Sequence, residues 1–310
     1  MGFFSRLAGR QERPDAALPF LSSNQADQVR ALVRRAFAEQ GVEVTMHDDR
    51  AVDDSGGVYG LWNVATACHE DERGPAAWPG VVDDHVRRIL AEMAGPDPFE
   101  GLTREEAAGR TYVRLFDESS VPALDDYPHR EFLPGVVELL ALDLPESVAI
   151  YGREHADRLG GCTTLRAHAL RNLEALQVDA PERIECRGGG YFHLLDDESV
   201  YTSGKALLMP DLAGSLTGEP PGELGWLLSV PSRHLVGWHC VRDARVLGTV
   251  EGMVSFALAA YDAAGPVSPH VYWSDGTAYH QLTQHDEDGS VSIVVPPPFQ
   301  AVLEQVARRG

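Results

Sequence analysis

The chain has 310 residues and a formal charge of −21, from 47 acidic against 26 basic side chains, with 44% of residues apolar. That composition builds a core and lies outside the disordered class, and the length fits one elaborate domain or two ordinary ones. The acidic excess argues against general binding to nucleic acid or to anionic membrane surfaces, both of which call for clustered Lys and Arg.

The first residues, Met1 to Arg13, carry Phe3, Phe4 and Leu7 but no run of signal-peptide length, and residues 1–22 are expected to form a loose arm. Ser22, Ser23 or Asn24 then caps a helix with Val29, Leu32, Val33, Ala36 and Phe37 on one face, ended by Gly41. Val42 to His47 alternates as a strand. The polar stretch Asp48 to Gly57 reads as a turn, and Val58 to Trp62 as a second strand or the entry to a helix. Val82, Val86, Ile89, Leu90 and Met93 give another helical face, closed by Gly95 and Pro96. Thr111 to Phe116 is read as the last strand of an N-terminal α+β subdomain over residues 23–120.

Pro122, Pro128 and Pro134 mark residues 121–135 as a linker or crossover before a C-terminal α+β domain over 136–310. There, Val136 to Tyr151 holds two apolar runs around Pro145, and Leu165, Ala169, Leu173 and Leu176 mark a helix. Strands are expected at Ile184 to Arg187 and Tyr191 to Leu195, joined by Gly188, Gly189 and Gly190, and again at Leu227 to Val230 and Leu235 to Val241. A helix over Val250 to Tyr261, strands near Val271 and Val291 to Val295, and a last helix from Phe299 to Arg308 complete the chain. Hairpins and helices without a βαβ rhythm predict a mixed, largely antiparallel α+β fold in two subdomains.

No linear motif fixes a reaction. Ser203, Gly204 and Lys205 lack the first glycine and the metal-binding hydroxyl of a phosphate loop, and Lys205, the one lysine, is read as solvated. Asp54, Ser55, Gly56 and Gly57 are read as a polar turn, as are Asp286, Asp288 and Gly289, which lack a calcium loop's later glutamate. The four cysteines, Cys68, Cys162, Cys186 and Cys240, have no CxxC spacing and are read as reduced, packed thiols in a cytoplasmic protein. Cys68 beside His69 does not make a nucleophile and base, because adjacent side chains diverge. His234, His239, Cys240 and Asp243 form the densest reactive cluster. On one strand His234 and His239 would point to opposite faces, and His234 and Cys240 would stand roughly 20 Å apart, so neither pair holds one ion. No metal or cofactor is expected.

Six stretches carry a resemblance: LALDLPESVAIYG (140–152), LRAHALRNLEAL (165–176), GGYFHL (189–194), LLSVPSRHLVGWHCV (227–241), MVSFALAAY (253–261) and VSPHVYWSDG (267–276). In order and spacing the C-terminal half resembles the YtpQ-like family of uncharacterised bacterial proteins. The resemblance implies a domain of unknown function and transfers no catalytic residue. The leading expectation is a non-catalytic module that binds a protein or peptide, perhaps one with a basic surface, through Arg171, Asn172, Arg233, His234 and Trp238. The alternatives are a hydrolase assembled from dispersed residues, with His234, His239 and Asp243 as first suspects, and an acidic immunity or inhibitor protein that masks a basic toxin.

Overall fold

The computed structural model describes residues 14–54, 57–144, 147–261, 265–285 and 290–309. Met1 to Arg13, Ser55 and Gly56, Pro145, and the turn expected at Asp286, Asp288 and Gly289 lie outside the described residues. The fold is α+β, with antiparallel sheets and packed helices. The chain divides into two compact units, at Asp97 and Pro98.

In the first unit, helix α1 (Ser23–Glu39) starts at Ser22, whose hydroxyl accepts from Gln25 N while Gln25 Oε1 accepts from Ser22 N. This reciprocal capping satisfies two first-turn donors. Its buried stripe of Val29, Val33, Ala36 and Phe37 packs with Trp78, Val82 and Val86 of helix α3 (Trp78–Met93) and with helix α2 (Trp62–Glu70). Met93, grouped with that face from spacing, is 58% exposed at the helix end. Strands β1 (Val44–Met46), β2 (Arg50–Asp53) and β3 (Val58–Gly60) form a small antiparallel sheet in that order. The stretch read as a turn thus contains β2: Ala51 is buried and pins a strand that Arg50 and Asp53 bound with charge. The arm expected over residues 1–22 is corrected where it is described, since Leu18 and Leu21 are buried in this core and Pro14 bridges to Ser22.

The second unit opens with a short helix, α4 (Arg104–Arg110), capped by Thr103 and Glu106, which leads into strand β4 (Thr111–Asp117). β4 pairs along its whole length with β6 (Val136–Asp143), whose other edge takes β5 (His129–Leu133) and then β7 (Val148–Ile150). The expected boundary at 121–135 is therefore displaced to Asp97 and Pro98: β4 belongs with β6, and the proline-rich stretch lies inside one sheet and supplies its strand β5. Helices α5 (Arg153–Arg158) and α6 (Cys162–Ala175) follow, and Leu165, Ala169 and Leu173 of α6 share a core with Val113 and Leu140.

A second antiparallel sheet runs β13-β12-β10-β11-β9-β8. In chain order its strands are β8 (Glu182–Glu185), β9 (Tyr191–Asp196), β10 (Trp226–Ser229), β11 (Leu235–Cys240), β12 (Val271–Ser274) and β13 (Tyr279–Gln281). Leu228, Val236, Trp238 and Tyr272 fill one buried cluster. Phe192, Leu227, Val271 and Trp273 join another with helices α8 (Val246–Tyr261) and α9 (Pro297–Arg309). Between β9 and β10 lie a 3₁₀ segment, Thr202–Leu208, and helix α7 (Asp211–Thr217). A two-stranded ribbon of β14 (Thr283–His285) and β15 (Val291–Ile293) precedes α9. Edge strand β8 exposes Glu182, Arg183 and Glu185, charges that discourage the addition of another strand.

The triple glycine joins β8 to β9 as expected, and it also seats a helix. A Cβ on Gly248 would collide with the carbonyl oxygens of Gly188 and Gly189, one on Gly190 with Thr249 Oγ1, and one on Gly252 with Cys186 Sγ. Turn and helix therefore meet almost backbone to backbone. Among the described residues no helix is long and apolar enough to cross a membrane.

Candidate functional site

Of the residues singled out from sequence, Trp238 is corrected first. It is fully buried between sheet strands, because β11 turns its even-numbered side chains into the core, and it offers nothing to a partner. Asn172 is also structural: its Nδ2 donates to Ala108 O at 2.9 Å and Thr111 O at 2.8 Å, tying α6 to the end of α4. Arg171 is exposed beside His168. Arg233 and His234 do come together, but half-buried at the β10–β11 connection rather than on an open surface. Arg233 Nε donates to His234 Nε2 at 2.9 Å, and His234 Nδ1 in turn donates to Asp197 O at 3.1 Å, a pattern that fixes a neutral imidazole. Burial first, then Arg233, hold its pKa below the usual histidine value.

The hydrolase suspects do not converge into one hydrogen-bonded set. His234 is engaged as above, Asp243 pairs with Arg245 at 2.7 Å, and His239 sits edge-on to Tyr191 with centroids 5.1 Å apart. Burial pushes His239 down to about 4. Burial raises the Cys68 thiol to about 12 and Cys240 to about 11, so neither is a ready thiolate. All four cysteines are free. Among the described residues, no group of His, Cys, Asp and Glu is arranged to hold a metal ion. Lys205, expected in solvent, is only 4% exposed. Its Nζ donates to Leu176 O at 2.7 Å, neutralising the carbonyl end of α6.

In the second unit, a cavity of about 230 Å³ lies where the start of α6 meets β5 and β6. Its apolar wall is Val113, Leu139 and Leu140, and its polar groups include Arg130, Arg153, Arg166, Glu138, Cys162 and Thr163. Local sequence explains the placement. Gly160 and Gly161, at φ 125° and 86°, make a turn closed to other residues and deliver Cys162 as the first residue of α6. Gly161 supplies no side-chain cap, and the first turn has no acidic residue, so the positive end of α6 faces this region without a resident carboxylate of its own.

Glu138 lies on the cavity floor, and Arg166 grips it through Nε at 2.5 Å and Nη2 at 2.9 Å. Arg130 approaches the same carboxylate at 3.5 Å but is 67% exposed, and Arg153 spends Nε on Asp125 O at 2.6 Å. Three guanidiniums against one carboxylate leave the cavity cationic in a chain of charge −21. Spacing could not reveal it, since its residues come from three strands and two helices. The one local signal was the Gly-Gly-Cys-Thr start of α6.

Asp179, Asp196, Asp197 and Glu198 line a more open depression that also touches Ser232 and His234. Comparison with protein-family models, with curated proteins and with solved structures finds no match.

Proposed function

We propose that this chain is a non-catalytic binding module, in which the cavity at the start of α6 takes the carboxylate of a partner peptide, from an acidic side chain or a free C-terminus. The observation that carries the reading is the surplus of guanidinium over carboxylate in that one cavity. Its volume of about 230 Å³ is below the roughly 300–1,000 Å³ of sites for drug-sized ligands, and suits a single side chain or terminus. Arginine forks and an uncapped helix start both favour a planar anion, and the apolar wall accepts the methylenes that carry it.

Four free thiols support a reducing, cytoplasmic setting, and the overall charge supports a protein partner over nucleic acid. Kinship with the YtpQ-like family stays part of this proposal, resting on the six stretches quoted above. The acidic depression favours a second reading, in which a basic partner surface docks beside His234 as an immunity protein's target would.

The deciding experiment titrates glutamate-ended peptides, with free and with amidated C-termini, into the full chain. Binding should weaken about tenfold or more in R130Q and R153Q, the loss of one charge-assisted hydrogen bond. Bound peptide should also slow alkylation of Cys162, which lines the cavity. Equal affinity in wild type and both variants would remove the cavity from the function.

A further inference from the structure

Among the described residues four arginines of the second unit are half-buried, and two of them end on an oxygen. Arg110 donates to Asp143 O and Arg166 to Glu138, as the exposed Arg158 does to Phe99 O. Two do not. Arg114, on β4, makes no hydrogen bond among the described residues, and its buried Nε has no acceptor; its guanidinium lies 5.0 Å from the ring of Phe116. Arg233 spends only Nε, on a neutral histidine, which leaves both terminal nitrogens unassigned. Among the described residues neither arginine has a carboxylate partner.

The two arginines flank one turn. Ser203 N donates to Arg233 O at 2.9 Å, while the next residue, Gly204, lies so close to β4 that a Cβ there would stand 2.7 Å from Val113 O. Alternation along β4 puts Arg114 on the face shared by Tyr112, which stacks on Tyr201 at the head of this turn with centroids 4.3 Å apart. Two more donors are orphaned nearby, the buried hydroxyls of Ser203 and Ser232. The stem of Arg233 is clamped as well: a Cβ on Gly265 would fall 2.6 Å from Arg233 Cδ. Burial and the opposing Arg233 lower Arg114 to about 10, and burial alone lowers Arg233. A half-buried charge without a counter-charge is costly, and a cluster of unused donors around two like charges is what a bound anion would resolve.

We propose that Arg114 and Arg233 form a second anion site, separate from the α6 cavity, which holds a dianion of the phosphate class beside the Ser203–Gly204 turn. A dianion matches the two guanidiniums in charge, and its oxygens can take forked donation from each. The shared chemistry covers both free phosphate and a phosphomonoester on a larger ligand.

The test uses calorimetry and thermal unfolding of the full chain in the R130Q/R153Q background, so that the first cavity does not contribute. Inorganic phosphate should bind with one-to-one stoichiometry and raise the melting temperature saturably, whereas acetate at equal ionic strength should not. R114Q and R233Q should each weaken phosphate at least tenfold, and R233K should recover part of that loss, which a merely structural arginine would not require. Phosphoserine serves as the second arm: binding of both probes assigns the site to a phosphomonoester, and binding of inorganic phosphate alone assigns it to the free ion. If R114Q does not fold, the R233Q and R233K pair decides. No saturable phosphate binding, or binding indifferent to these substitutions, overturns the proposal, and leaves the peptide-carboxylate reading of the α6 cavity to stand or fall on its own variants.

Discussion

Glu138 and Arg166 meet as a two-pronged ion pair, with the carboxylate 5% exposed and the guanidinium side chain 28% exposed. The asymmetry matters, since removing the acid leaves a cation that water can only partly reach. E138Q should therefore cost roughly 3 kcal/mol of stability, the scale for breaking a buried pair. It should also free Arg166 for a ligand and strengthen carboxylate binding in the cavity. Urea unfolding and peptide titration on the same variant check both, and a variant as stable as wild type would show that the pair is already well hydrated.

Histidine burial sets an acid limit on stability. His239 and His270 are each held down to about 4, chiefly by burial, against about 6.5 in an unfolded chain. Between those values the unfolded state binds protons that the folded state does not, so stability falls as pH falls. The slope approaches ~1.4 kcal/mol per pH unit for each histidine. Asp71 and Asp275, lowered to about 2 by hydrogen bonds from Arg73 and Thr277, act in a separate window and lose their contribution only below about pH 4. Urea midpoints at pH 8, 6.5, 5 and 4 should show the histidine loss first, and H239Q should flatten it. A wild-type midpoint constant from pH 6.5 to 4 would contradict this account.

Lys205 makes a built-in reporter. The residue is 4% exposed, its amine donates to Leu176 O, and burial lowers its pKa from the usual lysine value. Acylating reagents should leave it unmodified in the folded chain and label it in urea, along the same transition that circular dichroism follows. K205M leaves carbonyls at the end of α6 without a donor and should cost about 1–3 kcal/mol. Rapid labelling under native conditions would mean that this helix end opens readily.

Asn172 and Trp238 should separate stability from recognition. N172A removes two bonds to backbone carbonyls, at about 1–3 kcal/mol, and W238A empties a core position at about 3–5 kcal/mol. Each should keep wild-type affinity for the carboxylate peptide at temperatures where it is folded. Lost affinity in a folded N172A would return α6's polar residues to the binding surface.

These two residues also show what linear reading can and cannot reach. The helix around Leu165 to Leu173 and the hairpins of β8–β9 and β10–β11 were legible because their apolar periods are long and their turns glycine- or proline-marked. The α+β class followed from them. What was missed was short or polar: α4, seven residues held by a Thr103–Glu106 cap, and β13 and β14, which have little apolar signal. Trp238 reads from sequence as core or as partner surface, because aromatic residues suit both, and only the packing of β11 against β9 and β10 decides between them. Residue type alone places Lys205 in solvent, whereas a helix end in need of donors pulls it inward. The cavity was invisible since its charged residues meet only after β5, β6, α5 and α6 have packed.

The contact between the triple-glycine turn and α8 carries an implication for how this chain can vary. Gly188 and Gly190 on one side, with Gly248 and Gly252 on the other, fill a seam where even one methyl group meets backbone or a side chain. Such positions are coupled, because enlarging either partner forces the helix away from the sheet and opens the cluster of Phe192, Val250 and Met253 beneath it. Lineages that carry a larger residue at 248 should therefore show a shifted or lengthened β8–β9 turn, and the two changes should travel together.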